Sequence, residues 1–185
     1  MEHILIGTEA VAKGVVTSHQ LRRWYRPIYP NVHAPRDRVI TLGDRTKAAW
    51  LWSGRKAIIT GPAAAALHGS RWVDDDVDTD LIYKCPRPPA GIVARNERIE
   101  SDEWQELQGL SVANPVRTAF DLGRFQRRHK ALAHLDALMN MCPYSLEDVL
   151  MLTKRYRGYH GVARLKAVLP LVDGGAMSPM ESFWR

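Results

Sequence analysis

The stretch "EAVAKGVVTSHQLRRWYRPIYPNVHAP", residues 9–35, decides how the amino-terminal region is read. Thr8 is placed to cap a short helix and Gly14 to stop it. Thr17 is placed to cap the next, with Gln20 three residues on completing a capping box. Pro27 forbids that helix to continue. The interval from Ala10 to Leu21 therefore reads helix, tight turn, helix. Beyond it, "PIYPNVHAP" is β-prone but punctuated by prolines, which predicts an edge strand or a wing turning at Pro30 and Asn31.

A helix-turn-helix lays its second helix in the major groove and reads bases from that helix's N-terminal half. Thr17 at the cap, then Ser18, His19, Arg22, Arg23 and Arg26, are the candidate DNA contacts. If the helix runs on to Arg26, Arg22 and Arg26 lie four apart on one face, flanked by His19 and Arg23. Leu21 and Trp24 point elsewhere and are expected to pack. Arginine there can take phosphates as charge-assisted pairs, or guanine bidentately. Arg36 and Arg38, past the wing, are candidates for backbone phosphates.

Further on, Asp44 is expected to cap a helix reaching about Ser53, and Gly61-Pro62 to open another that Gly69 closes. "DTDLIYK" and "GIVARNE" read as strands, and "EWQELQGLSVAN" as a hairpin turning at Gln108-Gly109. From Pro115 the pattern is helical. "PVRTAFDLGRF" places Val116, Ala119, Phe120 and Gly123 on one side, and leucines recur at 132, 135 and 138. "SLED", residues 145–148, starts a helix ending near Gly158, and "GVARLKAVLPLVD" follows. The expected fold class is α+β: a winged helix-turn-helix-like head over 1–40, then a body over 41–175. The body begins as a small α+β middle with antiparallel strands and ends in helices. Residues 176–185 stand apart.

Totals narrow the function classes. Apolar residues make up 45% and charged residues 25%, enough to bury a core and too apolar for a disordered tail. No long apolar run suggests a membrane span or a signal peptide, so a cytoplasmic protein is expected. Cys85 and Cys142 lack motif spacing and read as reduced thiols. The net charge of +6 divides into a basic head, an acidic middle and a basic remainder. In that remainder, "GRFQRRHK" at 123–130 sits at a helix end, where cations would serve carbonyls and the C-terminal dipole. "TKRYRGYHG" interleaves cations with Tyr156 and Tyr159, a pattern suited to stacked bases or to ordinary packing.

"ALHGSRWVDDDVDTDLIY", residues 66–83, has a pattern like the Gly-Ser and Asp-x-Asp of polymerase-β-type nucleotidyltransferases. Asp78 and Asp80 would be two of the three carboxylates that a two-metal site needs. A third is missing, since Glu97 and Glu100 flank the next strand's apolar centre. Gly69 ends a helix where a phosphate-holding one should begin. The reading is a polar turn leading into an edge strand, with no metal and no cofactor. His68, His134 and His160 have no ligand-spaced partner.

Several stretches resemble a known family: "IGTEAVAKGVVTSHQLRRWYRPIYPNVHAPR", "DRTKAAWLW", "GPAAAALHG", "RPPAGIVARNERI" and "GLSVANPVRTAFDLGR". They resemble the AbiEi family antitoxins of type IV toxin–antitoxin systems, in a group common in actinobacteria. The most specific element is Gly109, Val112, Pro115, Arg117, Thr118, Asp121 and Leu122. The resemblance implies a winged helix-turn-helix that binds operator DNA and represses transcription. It also implies antitoxin activity against a nucleotidyltransferase toxin encoded nearby, without catalysis by this chain. Residues 1–7 are too few to supply the helix that precedes the pair in a full winged helix-turn-helix. Arg117 and Asp121, one helical turn apart, are expected to pair with each other as a structural hallmark, with Thr118 beside them. "AMSPMESFWR" resembles the opening of a very-short-patch-repair-like endonuclease domain of the PD-(D/E)XK class. Glu181 falls at its first acidic position. The later carboxylates and lysine of that class do not follow, so this chain alone is expected not to cut DNA. An alternative leaves catalysis and DNA aside: a protein-interaction module whose acidic middle meets a basic partner.

Overall fold

Thr17 starts a helix as its side chain allows. In the computed structural model, which describes residues 4–175, the Thr17 hydroxyl accepts from the Gln20 amide at 3.1 Å. The Gln20 side chain accepts in return from the Thr17 amide at 2.8 Å. This box opens α2 (Ser18–Trp24), and α1 (Gly7–Ala12) precedes it. Gly14, at φ 68°, lets the chain turn between them without the penalty a Cβ would bring.

The cap of α1 differs from the expectation. Thr8 lies inside α1 and does not cap it. Asn31 does so from across the sheet: the Thr8 amide donates to Asn31 Oδ1 at 3.1 Å, and Asn31 Nδ2 donates to Thr8 Oγ1 at 2.9 Å. The Gly7 amide donates to the Asn31 carbonyl at 2.8 Å. A cap contributed from 23 residues away leaves no local pattern.

Strands β1 (Leu5–Ile6), β2 (Tyr25–Tyr29) and β3 (Val32–Pro35) form an antiparallel sheet in the order β1-β3-β2. Pro27 lies on the edge strand, where a missing N–H is tolerated. The hairpin turns at Pro30 and Asn31, as expected, and the turn is tied to α1 rather than projecting.

The body begins with α3 (Leu42–Trp52). Its cap is Thr41 and not Asp44: Asp44, three residues in, is the reciprocal half of a capping box. Then follow β4 (Ile58–Thr60), α4 (Gly61–Leu67), β5 (Thr79–Ile82), β6 (Ile92–Arg95), β7 (Trp104–Leu107) and β8 (Leu110–Ala113). These strands make one sheet in the order β6-β5-β4-β8-β7. The β4–β5 and β7–β8 pairs are antiparallel; β4–β8 and β5–β6 are parallel. The fold is α+β, with parallel pairings that the sequence reading did not contain. Central β4 was not anticipated, because three residues are too few to show an alternation. Gln108 and Gly109, both at positive φ, make the tight β7–β8 turn.

Helices α5 (Pro115–Phe125), α6 (Arg128–Met141), α7 (Leu146–Arg155) and α8 (Val162–Val168) follow the sheet. α5 lies at their centre, with Phe120 and Leu122 packed among Leu135, Leu138, Leu152 and Leu165. A Cβ at Gly123 would sit 2.2 Å from Leu165 Cδ1, so this crossing depends on glycine. A second core unites both sheets. Tyr29, Val32 and Ala34 of the head join Ala48, Ala49 and Leu51 of α3, and Ile59, Leu81 and Val112 of the larger sheet. The head adds a small cluster of its own, Leu5, Ala10, Val16 and Tyr25. Among the described residues no helix is long and apolar enough to cross a membrane.

The basic run at 123–130 also differs from the expectation. α5 ends at Phe125, with Arg124 buried in its last turn, so Arg127 to Lys130 do not serve its carbonyls. They open α6 instead, with Arg127 at the cap position.

Candidate nucleic-acid interface

α2 is built to be seen from outside. None of its residues is buried, and it is anchored chiefly by Leu21 against the small head cluster. Thr17, Ser18, His19, Arg22 and Arg23 are exposed. Ser18 and Arg22 share one face, and the Arg22 Nε donates to the Ser18 carbonyl at 3.3 Å. His19 and Arg23 share the adjacent face. Among the described residues neither Arg22 nor Arg23 forms an ion pair with a carboxylate. Trp24 is 56% exposed and does not pack as expected.

Arg26 is not on this helix. Tyr25 is already extended, and Arg26 precedes Pro27, which disfavours helical geometry before it. Arg22 and Arg26 therefore share no helical face. Arg26 Nη2 donates to the Arg38 carbonyl at 2.9 Å, and Arg36 Nη2 donates to the Arg22 carbonyl at 3.2 Å. Both arginines stay exposed and gather at the C-terminal end of α2, where cations suit the helix dipole. Arg38 is committed elsewhere. It forks onto Asp44 at 3.0 and 2.9 Å, joining head to α3. Burial alone would raise the Asp44 carboxyl; Arg38 and the Thr41 amide outweigh it and hold the group below its ordinary value. The open cationic set is thus Arg22, Arg23, Arg26 and Arg36, with Ser18 and His19 on the same helix.

The Arg117 hallmark belongs to a different structure, a buried ion network. Arg117, Asp121 and Arg124 project from one side of α5 and are all essentially inaccessible. Arg117 Nε donates to Asp121 at 3.0 Å, and its Nη1 donates to Glu103 and to the Arg98 carbonyl. Arg124 forks onto Glu97 at 2.8 and 2.6 Å and donates to the His160 carbonyl. The Thr60 hydroxyl donates to Asp121 at 2.7 Å, and the Thr118 hydroxyl to the Ala113 carbonyl at 3.0 Å. Tyr156 donates to Glu103, which Arg155 also pairs. Tyr156 is therefore buried and not available for stacking. The Asp121 carboxyl is pushed up by burial and pulled back by Arg117, Thr60 and Arg124. The i, i+4, i+7 spacing of Arg117, Asp121 and Arg124 is the local signal that all three share one side of α5, whereas Glu97 and Glu103 arrive from the sheet side, where no local spacing links them to Arg117.

Asp80 corrects another expectation. β5 is an interior strand, and Asp80 is buried on it, forked onto Arg95. A Cβ on Gly61 would sit 2.8 Å from Asp80 Oδ2. Burial pushes this carboxyl up to about 6 in spite of Arg95. Asp78 precedes the strand and is exposed. No group of three or more His, Cys, Asp or Glu suited to a metal occurs among the described residues. Glu181 lies outside the described residues.

No family model matches the chain. Two uncharacterized proteins of Mycobacterium tuberculosis, MT2308 and Rv2248, are each 30% identical over 146 residues, which covers 76% of this chain. The match takes in 52% of each relative, so the chain spans about half the length of the curated relatives it matches. The crystal structure of the RV2827C protein from Mycobacterium tuberculosis aligns with a TM-score of 0.57 at 18% identity. That alignment covers 97% of this chain and 74% of the other, and it is a likeness of fold.

Proposed function

We propose that this chain binds duplex DNA through α2 and acts as a non-catalytic transcriptional regulator of the antitoxin type, in the cytoplasm. A nucleotidyltransferase toxin encoded nearby is its proposed protein partner. One observation carries the reading: Arg22 and Arg23 stand exposed and unpaired on a capped helix of a helix-turn-helix, with Arg26 and Arg36 at its end. A fold that only needed solubility gains little from cations so concentrated beside so few carboxylates. Along a duplex the same cations displace condensed counterions, which is a strong and salt-dependent gain.

The test is binding of duplex DNA from the gene's own upstream region, followed by fluorescence anisotropy across a salt series. Affinity should fall steeply with salt. Arg22→Ala with Arg23→Ala should weaken binding and reduce the log–log salt slope by about 1.8, or 0.9 per lost phosphate contact. A folded sample that ignores duplex DNA even in dilute buffer sinks the proposal. The resemblance of "AMSPMESFWR" to the opening of a nuclease domain supports a second reading, in which this chain is a truncated relative of a DNA endonuclease, and the greater length of the two relatives is compatible with it. That reading expects no cleavage by this chain alone, and Mg²⁺-dependent cleavage only by a longer protein that continues past Arg185, lost there on Glu181→Ala.

A further inference from the structure

The corner between α5 and α6 gathers cations, of which Arg127 and Arg128 have no carboxylate partner among the described residues. Arg127, Arg128 and Lys130 are all exposed. They sit where α6 begins, against the positive end of its dipole, and no acidic residue occupies that first turn. Arg127 fills the cap position without a side-chain cap bond, where Ser, Thr, Asp or Asn would stabilise. Four other helices are capped by a side chain, Thr17, Thr41, Asn114 and Ser145 each accepting from an amide of the first turn, whereas α1, α4 and α8, like α6, are not. A fourth cation joins from another element. Arg164 of α8 donates to the carbonyls of Arg124 and Gln126, both at 3.3 Å, which fixes it beside the corner. Of these four cations only Lys130 pairs with a carboxylate among the described residues, Asp74 at 3.8 Å, and both are exposed.

These positions weaken the helix, so stability does not account for them. We infer that the α5–α6 corner, with Arg127, Arg128, Lys130 and Arg164, is a second contact surface for the phosphate backbone of duplex DNA. The site consists of cations drawn from a corner and a neighbouring helix, and α6 amides are not required. A protein partner fits less well. Stable protein interfaces are built on an apolar centre, and the one exposed large hydrophobic residue of α5 and α6 is Met141, at the far end of α6. The inference extends the proposed reading of α2 and rests on it only in the choice of duplex DNA as ligand.

The experiment uses the full chain with Arg127→Ala plus Arg128→Ala, and separately Arg128→Glu, binding a duplex of about three helical turns. Loss of two phosphate contacts should weaken binding about tenfold near physiological salt and lower the salt slope by about 1.8. Arg128→Glu should bind at least as weakly yet melt about 2 °C higher, since an anion suits that helix end. A cation present for structural reasons would give the opposite change in melting. Unchanged affinity and slope in a wild type that binds DNA overturns this inference and leaves the α2 reading intact. Binding lost in the corner variants but kept in Arg22→Ala/Arg23→Ala upholds the corner and removes α2. A wild type that captures an acidic protein at this corner but not DNA overturns the choice of ligand.

Discussion

Replacing Arg117 by Met tests whether the buried network holds the two halves of the body together. The guanidinium is wholly buried and donates to Asp121 at 3.0 Å, to the Arg98 carbonyl at 3.1 Å and to Glu103. Methionine keeps much of the length and removes the charge. Asp121 would then rely on Thr60 and Arg124, and Glu103 on Tyr156 and Arg155. Removing one partner of a buried pair costs about 3–5 kcal/mol, because the other charge stays in low dielectric. The remaining donors place Arg117→Met at the lower end, about 3 kcal/mol. For a chain of this size that is a fall in Tm of about 6–12 °C. Arg155→Met is the comparison. It shares Glu103 but is 43% exposed, so its loss should stay below about 1 kcal/mol. Urea unfolding followed by far-ultraviolet circular dichroism measures both, and the dependence on denaturant should not change. If the two variants lose equal stability, or Arg117→Met loses under about 1 kcal/mol, the network is not the clamp described.

Asn31→Ala removes two side-chain bonds to Thr8 and puts alanine at φ 62°, and should cost about 1–2 kcal/mol. It should also weaken DNA binding without removing a cation, because the hairpin turn no longer holds α1. Unchanged anisotropy at a lowered Tm would separate the cap from the interface. Asp80 gives a pH effect of definite sign. Its carboxyl is raised from 3.8 to about 6 in the fold, so its contribution is fully present below 3.8 and is lost as pH rises through 6. That loss is on the order of 3 kcal/mol. Asp80→Asn should therefore gain stability relative to wild type as pH rises from 4 to 7. A stability difference flat across that range would contradict it.

What was legible in the sequence was whatever a few neighbouring residues decide. The Thr17–Gln20 box, the turn at Pro30-Asn31, the hairpin at Gln108-Gly109 and the Gly61-Pro62 helix start are all local. Misreadings share a different cause. Asn31 caps α1 from across a sheet, and Asp80 is buried because β6 pairs in parallel outside β5. Neither fact is written within ten residues of its site. Arg26 shows a local rule read too weakly: the residue before proline leaves the helix, so four-residue spacing stopped meaning a shared face. The run at 127–130 shows a boundary error with chemical consequences. Moving a helix start by a few residues turns cations that complement a dipole into cations that oppose one.

The head sheet is covered by an element that follows it in the chain. In the head, α1, α2 and a sheet ordered β1-β3-β2 leave the sheet's inner face needing a cover. The chain supplies it from the following side, because α3 packs on all three strands and also on α4, β4 and β5. Ile4, Tyr29, Val32 and Ala34 therefore lie in the same core as the larger sheet, and burying side chains the size of Ile4 or Val32 is worth roughly 1.5–3 kcal/mol each. The Arg38–Asp44 fork and the bidentate Arg55–Glu9 pair fasten the same junction at its rim. α2 rests on the small cluster of Leu5, Ala10, Val16 and Tyr25, and on β2, which α3 covers in turn. α3 therefore supports the proposed DNA-reading surface at one remove, through β2, and loss of its packing on the sheet should loosen Arg22 and Arg23 as well.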